Sequence, residues 1–255
     1  MVKIRILSIV SLFVSLLCVV GLVWAYMDQK IPHGAVGTPD ISQSAPTNQN
    51  EIKILALGDS LTRGYGDDNA KGYVGNVVDQ LRTHSGTTIS ISNLAINGQT
   101  SEQLSKQLSE QEVLRQIGQA NVILMTIGGN DLNQQAKTMN ELTPAQFRDI
   151  FTSYKNHFGR ILDQIRAVNP KATLYLIGLY NPYLDQPNAG IISQIIRQWN
   201  NDTADIVANY PNMVFVPTFD LFALNEEQFL YTDHFHPNSK GYQRIAGRLL
   251  PLLTP

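Results

Sequence analysis

Cysteine is almost absent from this chain. Its one example, Cys18, can form no internal disulfide and no thiolate zinc site. Charge is sparse and balanced, with 19 basic against 21 acidic residues, a net charge of −2 and no long basic run. That balance excludes nucleic acid as a partner held by electrostatics. No internal repeat occurs, and no low-complexity tract beyond one short linker. What remains, with 43% hydrophobic residues, has the make-up of an ordinary globular protein.

One long apolar run is present. After Lys3 and Arg5, residues 7–26 read LSIVSLFVSLLCVVGLVWAY without a charge. As a helix this run rises about 30 Å, enough to cross the hydrocarbon core of a bilayer. The basic residues before it predict a cytoplasmic N-terminus and export of everything that follows. Two outcomes stay open: a retained single-pass anchor, or a signal peptide cut near Val23 and Ala25 and a secreted product. The residues before Cys18, SLL, lack the small side chain expected before a lipidated cysteine. The chain therefore divides into a hydrophobic leader or anchor (1–27), a polar Pro- and Gly-bearing linker (28–50) and one domain (51–255). A domain of that size buries a sizeable core.

Within the domain, short β-rich runs alternate with longer amphipathic ones. Strands are predicted at 52–58, 88–94, 121–128, 172–179 and MVFVP (213–217). Helices are predicted near 72–84, 101–117, 143–168, 189–208 and 238–250, with Thr143 and Pro144 as cap and first helical residue. The run NVILMTIG (121–128) is apolar almost throughout, as a strand buried on both faces requires. The alternation predicts an α/β fold with a mostly parallel sheet and helices on both sides, where ligands gather at the carboxyl ends of the strands.

Those ends carry the chemistry. The first strand closes in GDSLTRGYG, which offers Ser60 either as a nucleophile or as a plain helix cap. The second closes in NLAINGQTS, with Gly98 in a turn, and the third in GGND, with the Asn130 amide. Backbone N–H groups of Ser60 and Gly98 and the Asn130 side chain would supply three donors to an oxyanion. Near the C-terminus, YTDHFHPNSKGY (231–242) places Asp233, His234 and His236 close together. A metal reading lacks a further cluster, since His33, His84 and His157 lie in the linker or in helical stretches. An acid that orients a histidine needs only Asp233 and His236, which leaves His234 as a surface neighbour. Asn238 and Ser239 read as helix caps, and the segments 179–191 and 218–229 as the flanks of a pocket.

These stretches, in this order, resemble the SGNH hydrolase superfamily, the GDSL-type lipases and esterases, over about residues 54–242. Among its members the likeness runs to exported lipase-like proteins of Gram-positive bacteria and to the lysophospholipase and thioesterase I branch. The resemblance implies a three-layer α/β/α, flavodoxin-like fold and ester hydrolysis without metal or other cofactor. It assigns Ser60 as nucleophile, Asp233 and His236 as its partners, and Ser60, Gly98 and Asn130 as the oxyanion hole. The implied substrates are lipid, lysophospholipid or short acyl esters, or acetyl groups on carbohydrate. A monomer is expected to handle them, held at the membrane through its N-terminal helix or secreted. A surface-binding protein that keeps the fold without the chemistry is the alternative of another class. Position 99 is Gln where that branch frequently has an acid. Activity should appear as rising pH takes the proton from His236, so a flat rate from about pH 5 to 8 would contradict the mechanism.

Overall fold

The computed structural model describes residues 51–85, 88–135 and 142–253. They fall in one unit, Asn48–Pro255, and the N-terminal apolar run and linker lie outside them. Among the described residues no helix is long and apolar enough to cross a membrane.

Five strands form one sheet: β1 (Glu51–Gly58), β2 (Thr88–Asn93), β3 (Val122–Thr126), β4 (Thr173–Ile177) and β5 (Met213–Val216). Every neighbouring pair is parallel, in the order β2-β1-β3-β4-β5. Between and after the strands lie α1 (Ser60–Arg63), α2 (Gly72–Ser85), α3 (Ser101–Gln107), α4 (Gln111–Gln119), α5 (Gly129–Gln135), α6 (Pro144–Val168), α7 (Ala189–Val207), α8 (Phe219–Phe222) and α9 (Ser239–Leu253). A 3-10 turn occupies Glu226–Gln228.

Side chains alternate across a strand, so a strand buried on both faces feeds two cores. Leu55, Leu57, Ile123, Met125, Leu174 and Leu176 pack on one face with α3, α4, α6 and α7. Ile54, Ala56, Leu124, Tyr175 and Ile177 pack on the other with α2 and α9. This is the three-layer α/β/α arrangement, and it explains the nearly unbroken apolar run of 121–128. The chain leaves β1 first toward β2 and later toward β3, so the strand order reverses direction between β1 and β3. A crevice opens at such a point, at the carboxyl ends of the strands.

The helix predicted over 101–117 is two helices. Its buried apolar residues are Leu104, Leu108, Val113 and Ile117, and the step from Leu108 to Val113 is one residue too long for a continuous helical face. A tight turn at 108–110 absorbs the extra residue, with Ser109 and Glu110 N–H groups bonding back three residues. Both halves then face the sheet. By contrast, α6 starts as its residues predict. Thr143 accepts from Gln146 N–H while the Gln146 side chain accepts from Thr143 N–H at 2.9 Å, and Pro144 follows the cap.

Candidate active site

At the carboxyl end of β1 the chain turns sharply. Gly58 has φ +114°, and a Cβ there would stand 1.9 Å from the Thr126 carbonyl oxygen, so only glycine fits. Asp59 follows in extended conformation, and its carboxylate accepts from Leu61 N–H at 3.1 Å. Asp59 is thus the cap of α1 and Ser60 its first residue, so the capping role that the sequence left open for Ser60 belongs to its neighbour. Asp59 is buried (3% exposed), which pushes its pKa up, against the pull of hydrogen bonds from Thr126 and Leu61. Thr126 Oγ1 donates to Asp59 at 2.6 Å. Its one proton is then used, so Thr62 donates to Thr126 at 2.7 Å and Tyr73 to Thr62 at 2.8 Å. This buried line of hydroxyls pins the turn to β3 and α2.

The loop before α9 brings the acid and the histidine to the same place. Asp233 Oδ1 accepts the N–H groups of Phe235 and His236, each at 3.0 Å, and Oδ2 lies 2.7 Å from His236 Nδ1. Burial alone would raise the Asp233 pKa. The hydrogen bonds from His236 and Phe235 outweigh it and hold the carboxyl below its usual value. An ionised Asp233 requires the ring proton on Nδ1, which leaves Nε2 as an acceptor. Nε2 stands 2.8 Å from Ser60 Oγ, 176 positions away in sequence. The rings of Tyr65 and Phe235 flank the imidazole, with centroids at 4.7 and 4.9 Å. His234 has φ +54° and is exposed, outside the chain of contacts. Asn238 Oδ1 accepts from Lys240 and Gly241 N–H as the cap of α9. Ser239 does not cap the helix; it donates to Asp67 at 2.5 Å and ties the loop to the turn after α1.

The other two predicted residues follow β2 and β3. Gly98 has φ +76°, and a Cβ there would meet no atom within 4 Å. Backbone conformation, not crowding, calls for glycine at this position. Asn130, the second residue of α5, donates through Nδ2 to the Gln99 carbonyl at 3.0 Å. Ser60 opens α1, where backbone N–H groups have no helical partner. The Gln99 side chain is turned inward to Gln107, at 2.8 Å. Asp131, which the sequence reading passed over, is 4% exposed and accepts from Ser101 N–H at 2.9 Å and from Ser101 Oγ. Its burial raises its pKa, against those two bonds. Its place in GGND was the only signal that could have found it.

Beside these residues lies a mainly apolar pocket, lined among others by Leu61, Leu132, Ile177, Leu179, Tyr183 and Phe235. The segment from 179 supplies part of this wall. The segment 218–229, predicted as a second flank, supplies none of it. Its Phe222 is fully buried and stacks under Tyr180, with centroids at 4.1 Å, because α8 turns back against α9 at the sheet's edge. It supports the wall from behind. Among the described residues no three of His, Cys, Asp and Glu group as metal ligands.

The GDSL-like lipase/acylhydrolase family model matches residues 56–244. The Bacillus subtilis protein YpmR is 33% identical over 208 residues, covering 79% of this chain and 81% of its own. The spore germination lipase LipC of Bacillus licheniformis is 26% identical over 201 residues, covering 78% of this chain and 94% of its own. Among solved structures, a lipase from a goat rumen metagenome shares the fold with a TM-score of 0.70 at 24% identity, over 78% of this chain and 95% of that one. With the family match spanning the first strand through the histidine loop, and YpmR 33% identical over 79% of this chain, this chain belongs to the GDSL-like lipase/acylhydrolase family.

Proposed function

We propose that the chain is an exported serine esterase that cleaves carboxylic esters in two steps, with the acyl group carried on Ser60. The observation behind this reading is the unbroken line from Asp233 through His236 to Ser60 Oγ, at 2.7 and 2.8 Å. His236 takes the Ser60 proton as Oγ attacks the ester carbonyl, and Asp233 stabilises the imidazolium that forms. The same ring protonates the leaving alcohol. It then activates a water that releases the acid and restores Ser60. The Ser60 and Gly98 N–H groups and the second amide hydrogen of Asn130 receive the oxyanion, each worth on the order of 3 kcal/mol. All five residues come from one chain, so a monomer suffices, and no metal or cofactor enters the reaction.

The apolar pocket beside Ser60 supports a lipid, lysophospholipid or short acyl ester as substrate. The hydrophobic run 7–26 supports a site outside the cytoplasm, on an anchored or a secreted domain. The test is hydrolysis of p-nitrophenyl acetate, butyrate, octanoate and palmitate by the purified full-length protein, beside Ser60→Ala and His236→Ala. Turnover lost in both variants supports the proposal, and a preference for the longer chains supports a lipid ester. Turnover of acetate alone would favour carbohydrate acetyl groups. No turnover, together with no labelling of Ser60 by an organophosphonate, would leave a binding protein on this fold.

A further inference from the structure

We infer that Asp131 is a positioning residue for the oxyanion hole, and that its clasp on Ser101 sets the gap between the Gly98 and Asn130 donors. The inference rests on the reading of those two residues as oxyanion donors. Gly98 follows β2 and Asn130 follows β3, yet β1 lies between these strands, so no strand pairing sets the distance between the two turns. An oxyanion tolerates little error, since its donors must lie about 2.7–3.1 Å from it. The spacing therefore has to be made outside the sheet.

Hydrogen bonds cross the gap. Asn130 Nδ2 donates to the Gln99 carbonyl, and the Asp131 carboxylate accepts from both the N–H and the Oγ of Ser101. Two of these end on Asp131, the residue next to one donor. They reach Ser101, three positions beyond the other. Ser101 is fully buried and Asp131 nearly so, with no Lys, Arg or His within ion-pair distance of that carboxylate among the described residues. Ser101 opens α3, so its N–H is one the helix leaves unsatisfied. Capping of α3 is already met by Thr100, which accepts from Gln103 N–H and makes a capping box. The carboxylate is thus surplus to holding the helix end. Its two oxygens instead lock the turn carrying Gly98 against the turn carrying Asn130.

The experiment measures kcat and KM for a p-nitrophenyl ester with the full-length protein and with Asn130→Ala, Asp131→Ala, Asp131→Asn, Ser101→Ala and the Asn130→Ala/Asp131→Ala pair, each with its Tm. Asn130→Ala should lower kcat by about 10²–10³-fold. Asp131→Ala should lower it by about 10²-fold, as a donor displaced by about 1 Å would, with KM within about twofold of wild type. The paired variant should stay within about tenfold of Asn130→Ala alone, because a donor already removed cannot be misplaced. Asp131→Asn should recover most of the rate, since its amide can accept from Ser101 N–H and donate to Ser101 Oγ. Ser101→Ala, which keeps the backbone bond, should fall between the two. If Asp131→Ala does not fold, Asp131→Asn and Ser101→Ala decide the matter. Unchanged kcat in Ser101→Ala, or a paired loss equal to the product of the single losses, would overturn the positioning role. A normal kcat in Asn130→Ala would overturn the donor reading itself, whatever Asp131 does.

Discussion

The hydroxyl of Tyr180 donates to the carbonyl of Phe235 at 2.6 Å, joining the loop after β4 to the loop that carries Asp233 and His236. Tyr180 is buried and stacks on Phe222, while Phe235 lines the pocket and meets the His236 ring edge-on. The pocket wall and the His236 loop are therefore joined by this bond, and a disturbance of either reaches the other.

Tyr180→Phe keeps the ring stack and deletes that bond, leaving the Phe235 carbonyl without this partner. Stability should fall by about 1–2 kcal/mol, read from urea unfolding. The turnover number should fall several-fold as the His236 loop loosens. Unchanged stability and kcat would show that the bond does not hold the loop.

Asp233→Asn preserves the shape of the loop but removes the acceptor that keeps the ring proton on Nδ1. The ring then presents its proton toward Ser60 and can no longer accept one. A loss of about 10⁴-fold in kcat should follow, with the fold intact by circular dichroism. A loss under about tenfold would mean that His236 keeps its tautomer by other contacts.

Buried Asp59 makes stability depend on pH with a definite sign. Its carboxyl titrates near 3.8 when unfolded and higher when folded, so within that window the folded chain binds more protons. Stability must then fall as pH rises from 3.8 through the raised value, and level off above it. Asp131 adds a decline of the same sign. Asp59→Asn keeps an oxygen for Leu61 and Thr126, so its Tm should change less than that of wild type between about pH 4 and pH 8. Parallel Tm curves for the two proteins would count against a raised pKa at this site.

Gly58→Ala forces a methyl into the Thr126 carbonyl at a backbone angle that L side chains rarely adopt. It should cost more than about 3 kcal/mol and displace Ser60 from His236. Denaturant unfolding of purified protein measures the loss, and a cost below about 1 kcal/mol would sink the steric argument.

Much of this molecule was legible locally. Thr143, Pro144 and Gln146 announce the start of α6 within four residues, because capping bonds close over that distance. The step of five from Leu108 to Val113 was equally present, and a strict count of the helical period would have found the break at 108–110. Asp233 and His236 sit three apart on one turn, so their pairing needed nothing beyond that turn. Gly58, Ser60, Gly98 and Asn130 were each readable as strand-end residues. By itself, then, the sequence determined the strands, their end turns, the caps at Thr143 and Asn238 and the acid beside its histidine, all set by periodicity and by bonds spanning a few residues. Only the tertiary structure decided that β1 separates β2 from β3, that Ser60 meets a ring 176 positions away, that Asp131 reaches Ser101, and that Phe222 lies behind the pocket wall. Those contacts follow from strand order and the burial of two sheet faces at once, which depend on the whole chain and leave no short pattern in any part of it.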